Sequence, residues 1–258
     1  MEVQFAKWRA YFLYNQDHLQ RIDWGDEYRL TASERKAITR SIQQFQLGEN
    51  SEGKHLISNA KAYIDKTKDD AYFGAIVEFI REEQRHARDL AKFMRLQQIP
   101  IIREHWVDGV FRKLRKFAGL EQSIIVLITA EIIAKIYYKA LRDSTSSTML
   151  IQLCDQILLD EDKHVQFQSE TLHKLSSKRN PFINACYRGM HRFLLEGTLA
   201  VVWRQHRSVF KAGGYRLGSF YRECRKEFTL SNAIIAGEGS SFDYEPVSAG
   251  PSERNGLS

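Results

Sequence analysis

The chain has 258 residues and a mass of 30.1 kDa, a size that fits one large domain or two small ones. Apolar residues make up 43% of it, and its net charge is +6, a composition that allows a sizeable core and excludes a disordered chain. All four prolines lie at or after position 100. Long proline-free stretches rich in helix-forming residues predict long α-helices and exclude a β-sandwich or barrel.

The three cysteines are isolated in the sequence, which excludes a Cys-x-x-Cys zinc ribbon or rubredoxin-like site and argues against a disulfide framework. The longest apolar runs, 124–134 and 194–203, are interrupted by Glu131 and Glu196, so neither is expected to span a membrane. The first residues lack the features of a secretory signal. We therefore expect a reducing, cytoplasmic setting.

In chain order, residues 1–31 are aromatic and amphipathic and predict a helix packed on the main body. Thr31 and Glu34 have the spacing of a capping box, which predicts a helix start. Apolar residues then recur at steps of three and four, and they predict four helices, at 32–66, 70–98, 120–143 and 147–176. One long link joins the second of these helices to the third, as in a four-helix bundle with one crossover.

The predicted fold class is therefore all-α, with a four-helix bundle at 32–177 as its main domain. Pro181 opens a further helical segment, and we predict a basic C-terminal helical extension over 178–230. The last residues, 231–258, are rich in Gly, Ser and Pro, a composition typical of a disordered tail.

Acidic residues and histidines interrupt the apolar stripes of the four predicted bundle helices near their midpoints. Residues three apart in a helix lie about 60° apart around its axis, so each Glu-x-x-His presents both side chains on one face. All six side chains can then meet at one level of the bundle. They are Glu49 in the first helix, Glu83 and His86 in the second, Glu131 in the third, and Glu161 and His164 in the fourth.

Four carboxylates in one core would repel each other and lose their hydration, at a cost of several kcal/mol per ion. Two divalent metal ions would balance four negative charges, with the imidazoles completing the coordination. The six residues are therefore predicted metal ligands. Glu52 also touches the first stripe and is an alternative or additional ligand to Glu49.

Residues 32–176 resemble the ferritin-like di-iron carboxylate superfamily, in which two helices each supply a Glu and two each supply a Glu-x-x-His. Leu47-Gly-Glu49, followed by Tyr63, is similar to the first-helix signature of rubrerythrins. The strings at 82–86 (EEQRH) and 160–164 (DEDKH) resemble the (Asp/Glu)-Glu-x-Arg-His motif of bacterial multicomponent monooxygenases and ribonucleotide reductase small subunits. The chain also departs from each subfamily, so none is assigned.

This resemblance implies that Glu82 and Asp160 support the ligand histidines through their second ring nitrogens. It also implies a cofactor of two Fe ions, with Mn or mixed Fe/Mn as alternatives. The function it implies is O2 activation by an oxidase, oxygenase or hydroxylase acting on a small organic substrate. A separate ferredoxin or flavoprotein would then supply the electrons.

Other readings of the sequence stay open. The same metal centre would serve a ferroxidase or a peroxide-scavenging, iron-handling protein. Basic and aromatic residues alternate over 178–227. This pattern suits nucleic-acid binding and leaves a tRNA-directed hydroxylase as a second alternative, although a solvated basic face or a docking site for an acidic electron donor explains it more simply. Tyr63, Tyr137 and Tyr138 are interpreted as core packing. The sequence leaves open whether a homodimer forms.

Overall fold

The computed structural model describes residues 2–51, 53–105, 119–239 and 242–244. Within these ranges the regular structure is entirely α-helical, which confirms the predicted fold class. The helices are α1 (Phe5–Asp17), α2 (Ala32–Ser51), α3 (Lys54–Thr67), α4 (Asp70–Leu96), α5 (Leu120–Asp143), α6 (Thr148–Ser176), α7 (Pro181–Ala212) and α8 (Leu217–Ala236). None of the helices in the described part is long and apolar enough to cross a bilayer.

Helices α4, α5 and α6 begin and end within two residues of the predicted bounds. The first bundle helix differs from its prediction. One helix was predicted over 32–66, which is wrong, since the structure has two helices there, α2 and α3. The chain breaks between α2 and α3 at Gly53, whose φ of 123° lies in a region that side chains with a Cβ rarely adopt. The central part of the predicted crossover, 106–118, lies outside the described residues.

Side chains at the helix starts satisfy backbone N–H groups that have no partner within the helix. The predicted capping box is confirmed: the Glu34 amide donates to Thr31 Oγ1 at 3.3 Å, and the Thr31 amide donates to Glu34 Oε2 at 2.7 Å. Although burial opposes it, hydrogen bonds from the Thr31 hydroxyl and from the Ser146 and Thr31 amides to the carboxylate lower the pKa of Glu34 to about 2. Asp69 caps α4 and Ser147 caps α6 in a similar way.

Helix α1 is part of the core. Phe5, Trp8 and Phe12 are buried, and the Trp8 ring donates from Nε1 to Glu170 in α6 at 2.8 Å. The predicted helix over 1–31 is too long, because after Asp17 the chain runs without helical structure to α2. Even so, the helix that forms packs against α4 as expected.

The C-terminal part is more ordered than the sequence suggested. The prediction of disorder from residue 231 is wrong for the residues that the structure describes there, since α8 continues to Ala236. Beyond it, Phe242 stacks on Trp8 with ring centroids 3.8 Å apart. The apolar rings of this segment therefore close over α1 and help to bury it.

The end of α7 lies directly against the backbone of α5. A Cβ on Gly213 would lie 2.3 Å from the Ala140 carbonyl oxygen, so only glycine permits this approach. We expect Gly213→Ala to lower the free energy of unfolding by about 2 kcal/mol or more, because α7 would have to move away from α5. Urea unfolding followed by circular dichroism measures this change.

The matched control is Gly197→Ala in the same helix, where no atom lies within 4 Å of the added Cβ. That variant should be neutral or stabilised by up to about 1 kcal/mol, because alanine favours helix. Equal effects of the two substitutions would contradict the close approach of α7 to α5.

Candidate metal centre

The structure brings the six predicted ligands together inside the bundle. Five of them lie well inside their helices, Glu49 lies two residues before the end of α2, and each residue has at most 7% of its surface exposed. Each helix packs with its apolar face towards the core. The acidic residues and histidines lie on that same face and are therefore buried. The residues are Glu49 of α2, Glu83 and His86 of α4, Glu131 of α5, and Glu161 and His164 of α6.

The two Glu-x-x-His pairs form the centre of this cluster. Glu83, His86, Glu161 and His164 each place one ligand atom within 4.8 Å of the others. Glu83 Oε1 lies 2.8 Å from His164 Nδ1 and 3.8 Å from His86 Nδ1. The two oxygens of Glu161 each lie 3.8 Å from one of the same two nitrogens. Both carboxylates therefore lie between the two imidazoles.

The remaining two glutamates lie on opposite sides of this centre. Glu49 Oε2 is 4.0 Å from His86 Nδ1, and Glu131 Oε2 is 3.9 Å from His164 Nδ1. Each imidazole thus has one glutamate of its own in addition to the two shared ones. Glu52, the predicted alternative to Glu49, lies outside the described residues.

Six oxygen and nitrogen atoms of the cluster are buried without hydrogen-bond partners. His164 Nδ1 and Glu83 Oε1 are in contact, but the contact lacks the geometry of a hydrogen bond. Burying a polar atom without a partner costs free energy, so a group of such atoms at one point requires an explanation such as an ion. The unpartnered atoms are Glu83 Oε1, His86 Nδ1, Glu131 Oε1, both carboxylate oxygens of Glu161, and His164 Nδ1.

The outer nitrogens of both imidazoles are, by contrast, hydrogen-bonded. His86 Nε2 lies 3.0 Å from Asp160 Oδ2, and His164 Nε2 lies 2.9 Å from Glu82 Oε2. An ionised carboxylate only accepts, so Nε2 carries the proton and donates it. In the neutral form of each ring, the lone pair of Nδ1 faces the cluster, as metal coordination requires. Both pairs link the same two helices: Asp160 of α6 holds His86 of α4, and Glu82 of α4 holds His164 of α6.

Asn15 and Arg85 support these two acids. Asn15 Nδ2 donates to Glu82 Oε1 at 2.5 Å and to Asp160 Oδ1 at 2.8 Å. The guanidinium of Arg85 donates to Asp160 at 2.7 Å. The role of Asn15 was not predicted, because this residue lies in α1, far along the chain from both acids. Nothing in its local sequence signals that role.

Tyr138 also has a role beyond core packing. Its hydroxyl donates to Glu49 Oε1 at 2.5 Å, which fixes the side chain of Glu49 and leaves the second oxygen toward His86. Tyr138 is fully buried in the core, as predicted, and its hydrogen bond to Glu49 is a role that the prediction did not include. The available signal was its spacing, since Tyr138 follows Glu131 by seven residues and lies on the same face of α5.

Burial and mutual repulsion dominate the electrostatics of the cluster. Burial, reinforced by neighbouring carboxylates, raises the pKa values of Glu49 and Glu131 well above their ordinary range. Burial acts on Glu83 in the same direction, but the adjacent His164 and His86 outweigh it and lower the pKa of Glu83 to about 2. The carboxylates around His164 likewise outweigh burial and raise its pKa.

These features fit a pair of divalent cations. Four carboxylates and two imidazoles, with no thiolate, form a donor set that suits iron or manganese and argues against structural zinc. Two divalent ions would neutralise the four acids and supply partners for the unpartnered atoms.

A cavity of 350 Å³ lies at one end of the bundle, between the starts of α5 and α7 and the ends of α6 and α8. Ile125, Leu172 and His191 are among its lining residues. None of the six clustered residues lines it, so it is separate from the candidate metal centre.

No protein-family model matches the chain, and no curated protein matches it. Among solved structures, it is similar to two mutants of an R2-like ligand-binding oxidase, each with an aerobically reconstituted Mn/Fe cofactor. The TM-scores are 0.61 and 0.60, each at 15% sequence identity, and each match covers 91% of this chain and 94% of the other. The chain therefore has the fold of these two structures, and at this identity the similarity bears on the fold alone.

Between about pH 7 and 8.5 the metal-free protein should lose stability as the pH rises. Glu49, Glu131 and His164 have raised pKa values in the folded state, so unfolding releases their protons and becomes more favourable at higher pH. Burial lowers the pKa values of His191 and His206 to about 4 and about 3. These two are neutral when folded and largely neutral when unfolded in this window, so they contribute little.

Thermal melts in a chelating buffer across this window measure the effect. The double variant Glu49→Gln/Glu131→Gln should show a shallower decrease in Tm with pH, because two of the three groups no longer titrate. A wild-type Tm that rises over the same window would show that these groups do not retain protons in the metal-free fold.

Proposed function

We propose that the protein is an oxidase that binds two metal ions, either two Fe or one Mn and one Fe, and uses O2 to oxidise a small organic substrate. The group of buried, unpartnered carboxylate and imidazole atoms carries this proposal. The Mn/Fe cofactor named for the two similar structures supports the choice of metals, and so does the donor chemistry.

In the proposed centre, His86 and Glu49 would bind one ion, and His164 and Glu131 the other. Glu83 and Glu161 lie between the two imidazoles, so they are the residues suited to contact both ions. Glu82 and Asp160 would hold the imidazoles in the tautomer that leaves Nδ1 free.

A pair of reduced metal ions of this kind supplies electrons to O2. The residues of the chain exclude water and orient the ligands. Phe12 and Phe79 pack against the His164 ring, with centroids 6.1 and 4.7 Å away, and both are fully buried. This apolar wall shields one side of the centre from solvent, which strengthens the electrostatic interactions inside it. We expect a separate ferredoxin or flavoprotein to return electrons to the metals.

The nucleic-acid alternative loses part of its support. Among the aromatic residues of 178–227, Phe220 is fully buried and Trp203 stacks on Phe210 with centroids 5.6 Å apart. The Tyr187 ring is covered by the Arg179 guanidinium at 4.2 Å. These rings are therefore not free to stack on bases. No structural observation favours the ferroxidase alternative over an oxidase.

The decisive experiment loads the protein with Fe(II), or with Mn(II) and Fe(II), and mixes the reduced form with O2 in a stopped-flow spectrometer. Two metal ions per chain and a rapid absorbance change are expected, followed by oxidation of an added organic substrate. Oxidation of Fe(II) alone, with release or storage of iron, would support the ferroxidase instead. The absence of any absorbance change would refute O2 activation.

His86→Ala and His164→Ala should each reduce metal content from two ions towards one or none per chain, because each removes an imidazole ligand and leaves neighbouring carboxylates without compensation. Elemental analysis after equilibrium loading measures the change. His173→Ala is the control, since its Nδ1 lies 3.0 Å from the Ile235 carbonyl, outside the cluster. Full metal content in both ligand variants would contradict the assignment.

Asn15→Ala should weaken metal binding by about 10- to 100-fold, as expected when support outside the coordinating ligands is lost. The substitution leaves Glu82 and Asp160 without the amide that joins them. Competition with a chromophoric chelator gives the affinity. Gln16→Ala is the matched control, because it removes a similar 2.8 Å bond from α1 to Glu78, an acid outside the centre. Equal affinity in the two variants would show that Asn15 does not support the centre.

A further inference from the structure

One face of α7 lines the cavity at the end of the bundle. Pro181, Asn184, Arg188 and His191 all border it, and their steps of three and four place them on the same side of the helix. The cavity has a volume of 350 Å³, which lies at the lower end of the range for small-molecule sites in proteins. It is therefore large enough for a small organic molecule.

The inner wall of the cavity is formed by apolar side chains from three other helices. Ile125 of α5 and Leu172 of α6 border the cavity and have only 4% of their surfaces exposed. Ile235 of α8, which is half-buried, borders it as well. Protein interiors are normally packed without spaces of this size, and covering apolar surface with an apolar group is favourable. The inner wall therefore suits the apolar part of a ligand.

Two arginines border the cavity, and an acid neutralises the first of them. The guanidinium of Arg179 donates to both carboxylate oxygens of Glu121, at 2.8 and 2.5 Å, and its Nε donates to Asn184 Oδ1 at 2.7 Å. It also covers the ring of Tyr187 at 4.2 Å. Arg179 is therefore fixed in place, and its charge is already balanced.

The second arginine, Arg188, has no such partner. Its side chain is exposed at the mouth of the cavity and forms no ion pair with any residue that the structure describes. The excess charge at the mouth is therefore positive. A guanidinium presents several N–H donors in a planar arrangement that matches the two oxygens of a carboxylate.

His191 adds no charge of its own to the cavity. It has 2% of its surface exposed, and its Nε2 is buried without a hydrogen-bond partner. Its ring packs edge-on against Phe228, with centroids 4.8 Å apart. Burial lowers the pKa of His191 to about 4, so the imidazole is neutral near pH 7. The charge that a ligand meets in the cavity therefore comes from Arg188.

Three kinds of small ligand differ in how well they match this lining. An inorganic anion such as phosphate would pair with Arg188 but would leave the inner wall uncovered. A neutral apolar molecule would cover the inner wall but would gain nothing from the arginine. An organic molecule with one carboxylate does both, because its apolar part and its charge reach different parts of the cavity.

We propose that the cavity binds a small organic monocarboxylate. The apolar part of this ligand lies against Ile125 and Leu172, and its carboxylate accepts hydrogen bonds from the Arg188 guanidinium. The site is separate from the candidate metal centre, and binding there does not depend on the proposed oxidation chemistry.

The first test is isothermal titration calorimetry of the full chain with hydrocinnamate, a phenyl ring with a short carboxylate chain. Hydrocinnamyl alcohol, which has the same carbon skeleton without the charge, and inorganic phosphate are titrated in parallel. The acid should bind at least about tenfold more tightly than the alcohol or phosphate. The proposal would be overturned by no binding of the acid, by equal affinity for the alcohol, or by equal affinity for phosphate.

Arginine variants test the position of the carboxylate. Arg188→Gln should weaken binding of the acid by about tenfold or more and leave binding of the alcohol unchanged, because only charge-assisted hydrogen bonds are lost. Arg192→Gln is the matched control, since Arg192 lies one turn further along α7 and does not border the cavity. Equal loss in the two variants would show that general surface charge attracts the acid, which would contradict the proposal.

Tryptophan variants test the position of the apolar part. Ile235→Trp should weaken binding of both the acid and the alcohol by about tenfold or more, because the larger ring takes up space in the cavity. Leu230→Trp in the same helix is the control, since Leu230 is 53% exposed and does not border the cavity. Melting curves check that each variant is folded. Unchanged binding in Ile235→Trp would place the acid elsewhere.

Because carboxylates also bind metal ions, the titration is repeated with metal-loaded and metal-free protein and with His86→Ala. The affinity should be the same in all three, and nuclear Overhauser effects should connect the phenyl ring to the methyl groups of Ile125 and Leu172. Loss of binding in His86→Ala, with full binding in Arg188→Gln, would assign the acid to the metal centre and overturn the proposal. Failure of the metal centre to react with O2 would leave these binding results unchanged.

Discussion

The burial of four carboxylates and two imidazoles at one level of a helical bundle is the constraint on which the rest of the structure depends. In water these groups would be hydrated, and in the core they repel each other. Without metal ions, the raised pKa values of Glu49 and Glu131 favour their neutral, protonated forms, which reduces this cost. A pair of cations would offset the repulsion between the carboxylates, so the same arrangement favours metal binding.

The surrounding helices hold this arrangement in place. The histidine of α4 is held by an acid of α6, and the histidine of α6 by an acid of α4, so the two ligand helices fix each other. Asn15 joins both acids from α1. Helix α1 is therefore part of the centre as well as a cover for it, and the aromatic residues that anchor α1 contribute indirectly to the position of the ligands.

The C-terminal helices divide their aromatic residues between two purposes. Trp203, Phe210 and Phe220 pack together and attach α7 and α8 to the bundle. Phe182 and Phe193 face outward, where no described part of the chain covers them. This division limits the interpretation of the basic region, because the packed rings are not free to stack on bases.

The sequence by itself determined the helices and the level at which the acidic residues and histidines meet. Helical periodicity is a local property, so the bounds of α5 agree with the prediction and all six predicted residues of the centre lie in the core. Only the tertiary structure decided which residues support them. Asn15 lies 67 and 145 residues from the acids it joins, and Tyr138 lies 89 residues from Glu49.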